Sequence, residues 1–241
     1  MTDDLPVPVD RLIAVASAVF ALVFTLVVAS VVGDVATSLA VRTGTLAEET
    51  NAHTIFQTVA TFGSFLPAAV GYLIITDQRD LVPVSRPSLR RLGIVAAAAV
   101  GLYALQIGLL FVLREVGLRT GQNPATMAAG DPVVYYVAMI AVSILVVGPA
   151  EELLFRGVIQ SGLRRAFGPV AAIALAAVMF GLLHAGVDGT VVEQLAYMGV
   201  TVILGAILGL LYEWTENVIV PALAHGLYNA IIFGTLLWSA L

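Results

Sequence analysis

Residues 133–156 read VVYYVAMIAVSILVVGPAEELLFR, an almost continuously apolar stretch that ends in two glutamates and an arginine. About 20 apolar residues are enough for a helix to cross the hydrocarbon core of a bilayer. The stretch therefore predicts a transmembrane helix that carries charged groups near one end. Both features, the apolar length and the unexpected charge, recur elsewhere in the chain.

Apolar runs of spanning length make up most of the chain. The residues are 60% hydrophobic and only 11% charged, with a mean hydropathy of +1.00, whereas soluble domains are roughly half apolar and a quarter charged. The sequence predicts an all-α, polytopic transmembrane bundle of about seven or eight spans, the eighth being an extra or re-entrant piece among the last three runs. Besides 133–156, the runs are 12–33, 54–76, 92–113, 169–187, 191–212 and 217–240, and the longer loops are 34–53, 77–91 and 114–132.

Arginine placement predicts the orientation, because loops with more basic residues stay in the cytoplasm. A cytoplasmic amino terminus places seven arginines inside and three outside, which favours a multi-pass protein of the cell membrane in that orientation. There are no cysteines, which excludes thiolate nucleophiles and cysteine zinc sites, and no basic patch suggests nucleic acid as a partner. The inner group is Arg11, Arg79, Arg86, Arg90, Arg91, Arg164 and Arg165, and the outer group is Arg42, Arg114 and Arg119.

Ionisable residues inside spans are costly and usually functional. Three groups occur in the second half of the chain: Glu151-Glu152-x-x-x-Arg156, Phe180-x-x-x-His184 and His225-x-x-x-Asn229. At 100° per residue, Arg156 lies about 40° around the helix from Glu152 but about 140° from Glu151. Glu152 and Arg156 are therefore predicted to form an ion pair, and Glu151 points elsewhere.

Spacing predicts that the three groups meet. A turn at Gly168-Pro169 would join antiparallel helices, and Glu152 and His184 each lie 16 residues from Gly168. The last helix begins at the same membrane face as that turn, and His225 lies about 12 Å along it. We therefore expect one pocket inside the membrane, and we expect its mouth to open toward the face that carries Arg164 and Arg165.

One carboxylate, two imidazoles and an amide around a partly wet pocket could hydrolyse an amide bond. Glu151 and His184 would take a proton from water, while His225 and Asn229 would stabilise the oxyanion. Alternatively, Glu151, His184 and His225 could bind zinc with a water in the fourth position. The sequence contains no H-E-x-x-H or G-x-S-x-G motif, so both arrangements stay open.

The three ordered motifs resemble those of the CPBP family, which comprises CAAX prenyl endopeptidases and bacteriocin-processing or Abi-type membrane proteins. The resemblance covers about residues 130–235, which suggests N-terminal helices over 1–125 and a catalytic helical core over 126–241. It implies that Glu151 and His184 activate water and that His225 and Asn229 hold the oxyanion. Glu152 and Arg156 would support the framework, and Phe180 would pack against the His184 ring.

The resemblance further implies an endopeptidase, described in the family as metalloprotease-like, that cleaves a peptide or lipidated membrane-protein substrate. A prenylated, CAAX-type substrate is one candidate. We prefer a reaction that requires no cofactor, with zinc as the alternative.

Two other classes of function remain. Buried acids and histidines also line the pathways of proton- or ion-coupled transporters, and a family member could act as a non-catalytic scaffold or immunity protein.

Overall fold

The computed structural model describes residues 7–241, so the first six residues of the predicted N-terminal part lie outside it. Seven helices in this range are long and apolar enough to cross a membrane, and the described residues form no β-strand, which confirms the predicted all-α bundle. Their number and length indicate a multi-pass membrane protein. The helices are α1 (Val7–Arg42), α2 (Asn51–Ile75), α3 (Leu89–Glu115), α4 (Pro132–Phe167), α5 (Pro169–Leu183), α6 (Val191–Thr215) and α7 (Ile219–Ala240).

Several helices are longer than the apolar runs predicted. Helix α1 passes through Asp34, which the sequence analysis assigned to a loop, and ends at Arg42 just before Gly44 adopts a φ of 73°. Helix α4 continues beyond Arg156 because residues such as Ile159 and Leu163 are fully buried in the core. Between Pro169 and Ala240, the described chain has three spanning helices and short connections, so the additional span considered above is not found.

Successive helices run in opposite directions, so their connections lie at two ends of the bundle. The amide of Asn51 donates to the carbonyl oxygen of Asp131 at 2.7 Å, and Gln122 pairs with Asp188. These contacts join residues 43–50, 116–131 and 184–190 at what we call the Asn51 end. The opposite, Asn217 end contains residues 76–88, 168 and 216–218, where the Asn217 amide donates to the Ser85 carbonyl oxygen at 2.8 Å.

Helix α4 occupies the centre of the bundle and is irregular on both sides of its glutamates. Wide π-helical turns cover Ser143–Val147 and Leu153–Gln160, where the sequence analysis assumed a regular helix. Pro149 has no N–H to donate to the preceding turn, and the Gly148 N–H donates to the Ser143 carbonyl oxygen, five residues back. Wide turns of this kind are frequent at functional sites.

Candidate active site

A cavity of about 550 Å³ lies inside the bundle and collects most of the predicted site residues. Helix α4 contributes Glu151, α5 contributes Phe180 and the adjoining His184, and α7 contributes His225 and Asn229. Residues separated by more than 70 positions in the sequence therefore share one lining, as the helix spacing predicted. Glu152 and Arg156 are not among the lining residues and lie in the packed interior next to the cavity.

His225 connects the two glutamates. Its Nδ1 lies 3.0 Å from Glu152 Oε1, and its Nε2 lies 3.6 Å from Glu151 Oε2. Since a carboxylate only accepts hydrogen bonds, Nδ1 carries the proton in the contact with Glu152. The sequence predicted His225 in the same pocket as Glu151, but the contact of His225 with Glu152 was not anticipated.

Glu152 and Arg156 form the predicted ion pair. Arg156 Nε donates to Glu152 Oε2 at 2.8 Å, and both side chains are completely buried. The guanidinium also lies over the Phe180 ring, 5.6 Å from its centroid, where the ring face attracts a cation. With His225 on its other oxygen, Glu152 is held on both sides.

His184 is the cap residue that follows α5, and it is only partly buried. Its Nδ1 lies 2.8 Å from the Phe180 carbonyl oxygen, and its ring packs on the Phe180 side chain with 4.6 Å between centroids. A carbonyl oxygen only accepts, so Nδ1 donates and Nε2 is the nitrogen left to accept a proton. The predicted contact between Phe180 and His184 is therefore present.

Two glycines explain why α4 and α7 approach closely enough to bring Glu151 next to His225. A Cβ on Gly148 would lie 2.6 Å from the Ala222 carbonyl oxygen, and one on Gly226 would lie 2.8 Å from the Ser143 carbonyl oxygen. Small residues at such crossings let helix backbones touch in a membrane. In the sequence, Gly148 stands beside Pro149 and Gly226 directly follows His225, and these small residues were the available signal for the crossing.

Tyr197 of α6 is a cavity residue that the sequence analysis did not single out. Its ring lies 6.2 Å from that of His184, and its hydroxyl oxygen accepts a hydrogen bond of 3.2 Å from the Asn123 amide. Because the amide occupies the oxygen, the hydroxyl proton is left to donate elsewhere. A single tyrosine at the start of an apolar run carries no motif, so only the structure reveals it.

The N-terminal helices also line the cavity, although no motif lies in them. Helix α2 contributes Thr58, Thr61 and Phe65, and α3 contributes Leu102 and Gln106. The division into residues 1–125 and 126–241 stays a prediction, but the cavity is built from both parts.

The cavity lining extends away from the end at which its mouth was predicted. The cavity reaches residues 123–126, Gly186 and Val187, all at the Asn51 end, whereas Arg164 and Arg165 lie at the Asn217 end. Residue spacing gives depth only relative to the turn at Gly168. It does not reveal that residues 81–85 fold against the start of α7 at the Asn217 end.

The three candidate metal ligands share the cavity without forming a ligand set. Over residues 7–241, no group of three or more histidine, cysteine, aspartate or glutamate side chains is arranged to hold a metal ion. The Nδ1 atoms of His184 and His225 are both engaged by protein oxygens.

Residues 133–231 match the sequence model of the Rce1-like family, described as type II CAAX prenyl endopeptidase Rce1-like. The predicted resemblance is confirmed for this segment. The segment includes all three motifs, and at the level of the family it implies a membrane protease.

Among curated proteins, an 87-residue segment is 36% identical to "Uncharacterized protein YpbD" of Bacillus subtilis (strain 168). The matched segment covers 36% of this chain and 40% of that relative, so the chain spans less than half of the relative's length. No solved structure matches the chain.

Proposed function

We propose that the protein is an intramembrane endopeptidase in which Glu151 acts as general base on a water molecule. The observation that carries the proposal is the position of Glu151 on the cavity wall, with its Oε2 3.6 Å from His225 Nε2. At 3.6 Å both atoms can contact the same water or substrate oxygen. The match of residues 133–231 to a protease family supports the assignment.

In this reaction the water oxygen attacks the carbonyl carbon of the scissile peptide bond. Its proton passes to Glu151, with His184 Nε2 as a second acceptor, and is returned to the amide nitrogen as the C–N bond breaks. His225, as an imidazolium that carries a proton on Nε2 as well as on Nδ1, and Asn229 are proposed to donate hydrogen bonds to the carbonyl oxygen as it becomes negative. Asn229 suits this role because its side chain lies on the cavity wall one turn from His225.

Glu152, Arg156 and Phe180 are proposed to position the reacting groups. Glu152 orients the His225 ring through Nδ1, Arg156 balances the buried negative charge, and Phe180 packs against His184. Glu152 and Arg156 do not line the cavity, so they are proposed to act through the residues that touch substrate. Phe180 does line it and is proposed to act by packing.

The proposed substrate is a peptide segment of a membrane-associated protein, for which a prenylated protein is one candidate. The cavity walls suit a peptide because they alternate apolar side chains with hydrogen-bonding groups, such as Phe65 and Leu102 beside Thr61 and Gln106. The lipid bilayer would bring such a segment to the cavity.

The test compares wild type with Glu151→Gln in liposomes, using a library of lipidated and unlipidated peptides and mass spectrometry of the products. Glu115→Gln is the matched control, since Glu115 is exposed at the end of α3. We expect full cleavage by wild type and the control and only a small residual rate from Glu151→Gln. Equal cleavage by all three would refute Glu151 as the base. Ion or proton flux that depends on Glu151, without cleavage, would favour a transporter.

The preference for a reaction without a cofactor is tested in the same assay with a strong chelator. We expect the cleavage rate to stay unchanged. A loss of cleavage that added zinc restores would establish a metal enzyme instead.

A further inference from the structure

Three side-chain amides line the cavity, and they differ in their hydrogen bonds. The Asn123 amide donates to the Tyr197 hydroxyl at 3.2 Å. The amides of Asn229 and Gln106 form no hydrogen bond with another group in the part of the chain that the structure describes. Asn229 has a place in the proposed reaction, at the carbonyl oxygen of the scissile bond. Gln106 is therefore the wall amide that the proposed reaction does not use.

Gln106 lies in the interior of a membrane-spanning helix, where an unpaired amide is costly. Leu102, one turn earlier in α3, is buried in an apolar cluster. Polar side chains in such helices bond to a neighbouring helix or face a cavity. Gln160 of α4 does the first, since its amide donates to the Gly209 carbonyl oxygen at 3.1 Å and to Glu213 at 3.0 Å. Gln106 does the second, so its amide is available to a molecule inside the cavity.

Two threonine hydroxyls of the wall are less available than Gln106. The Thr58 hydroxyl donates to the Thr54 carbonyl oxygen at 2.8 Å, and the Thr201 hydroxyl donates to that of Met198 at 2.8 Å. Both protons are used within their own helices. The Gln106 amide keeps two N–H donors and an acceptor oxygen.

The chemistry of Gln106 matches a peptide group. A peptide segment that is opened for cleavage loses helical hydrogen bonds, and its N–H and C=O groups then need partners inside the membrane. A side-chain amide carries a donor and an acceptor side by side, as a peptide group does, so the two can pair. Gln106 brings no charge, and Leu102 and Phe65 of the same wall are apolar, so this part of the wall favours a neutral group.

The position of Gln106 sets its distance from the reacting groups. Helices α3 and α7 both start at the Asn217 end, and Gln106 lies in the fifth turn of α3 whereas His225 lies in the second turn of α7. A difference of about two to three turns corresponds to roughly 11–16 Å along the bundle. Extended backbone covers this distance in about three to five residues.

We propose that Gln106 binds the substrate backbone about three to five residues from the scissile bond. The inference rests on the proposed function, which supplies the peptide and its cleavage site. Gln106 is a substrate-binding residue, since it lies away from the reacting atoms. It also lies outside the matched segment 133–231, so the N-terminal helices contribute recognition to a reaction whose motifs lie elsewhere.

Peptide binding to the Glu151→Gln protein tests the proposal with cleavage suppressed. The probe is the labelled library peptide that wild type cleaves fastest or, if none is cleaved, each library peptide in turn. Adding Gln106→Leu, which removes the amide but keeps a similar size, should raise the Kd about 10-fold. Gln57→Leu is the matched control, because Gln57 is exposed on α2 outside the cavity lining. Unfolding temperatures should be equal, since leucine is favourable in a membrane span.

Peptides with a single N-methylated nitrogen locate the contact. Methylation at the nitrogen that donates to Gln106 should weaken binding, and it should have little further effect once Gln106→Leu is present, because both changes remove the same hydrogen bond. In the cleavage assay, Gln106→Leu should raise KM and leave kcat unchanged. Equal sensitivity to methylation at every position in both proteins would overturn the backbone contact.

The outcomes separate this inference from the proposed function. An unchanged Kd in Gln106→Leu, or the same loss in Gln57→Leu, would overturn the inference even if wild type cleaves peptides. Binding that depends on Gln106 without cleavage by wild type would refute only the proposed function. If no library peptide binds, both are refuted.

Discussion

Glu151 and Glu152 are neighbours in the chain, yet they belong to two different regions of the molecule. Glu151 lies on the wall of the cavity, among groups that can reach a water or a substrate. Glu152 lies in a sealed network with Arg156 and His225, where both of its oxygens are engaged. His225 takes part in both regions, since its two ring nitrogens face different glutamates.

This difference distinguishes residues that take part in the reaction from residues that hold the reacting side chains in place. A charge that faces a cavity can change partners during a reaction, whereas a buried pair contributes chiefly by keeping its partners in place. Removing one member of a buried pair leaves the other uncompensated, which is costly. Substitutions in the cavity should therefore impair cleavage with little effect on folding, and substitutions in the network should impair both.

The largest expected effect is on the reaction itself. His184→Gln removes a proposed proton acceptor and should lower kcat/KM by roughly 10²–10⁴-fold, with the same unfolding temperature as wild type. Peptide cleavage and thermal unfolding in detergent measure the two quantities. His53→Gln is the control, because His53 lies in the first turn of α2 and outside the cavity lining. A variant that cleaves normally would remove His184 from the proposed mechanism.

Arg156→Ala should have the largest effect on stability. It leaves Glu152 buried without its ion pair, which costs about 3–5 kcal/mol and should reduce folded yield as well as activity. Unfolding temperature and monodisperse yield in detergent check this expectation. Arg165→Ala provides the comparison, since Arg165 is exposed at the Asn217 end. An unfolding temperature of Arg156→Ala equal to that of wild type would show that the buried network does not stabilise the fold.

Gly226→Ala should disturb the junction between the two regions. The added Cβ would meet the backbone of Ser143 and Ile144 at 2.8 Å, so α4 and α7 must separate slightly. A displacement of about 1 Å at a reacting group can cost on the order of 10²-fold in rate. Gly234→Ala, whose Cβ would meet nothing within 4 Å, should leave cleavage unchanged. Equal rates for the two variants would contradict the role of this crossing.

Tyr197→Phe should have the smallest effect. It removes a single hydroxyl from the cavity and one hydrogen bond with Asn123, a loss of about 0.5–1.5 kcal/mol, so cleavage should fall roughly 2- to 10-fold. Tyr103→Phe is the control, since Tyr103 lies on α3 outside the cavity lining. If the Tyr197 variant changes no more than the control, the hydroxyl takes no part in the reaction.

The sequence predicted the bundle and the convergence of the three motifs because both follow from local rules. Apolar length sets the spans, and helical periodicity separates Glu152, which faces Arg156, from Glu151. The predicted ion pair between Glu152 and Arg156 forms even though α4 has wide π-helical turns over Leu153–Gln160.

The remaining features depend on contacts between distant segments. Neither the Gly226 crossing nor the link between Asn123 and Tyr197 follows from a pattern along one helix. The contact of residues 81–85 with Asn217 is a further example, because these residues lie far from the motifs in sequence. Residue spacing measures depth along a helix and does not reveal which loop closes a cavity.

The central claim is that Glu151 and His184 act on the same water in one cavity, and a double-mutant cycle measures this most directly. We expect Glu151→Gln with His184→Gln to cleave no more slowly than the more damaged single variant, because groups that serve one step are not additive. Losses that multiply in the double variant would show that the two side chains act independently and would contradict the account.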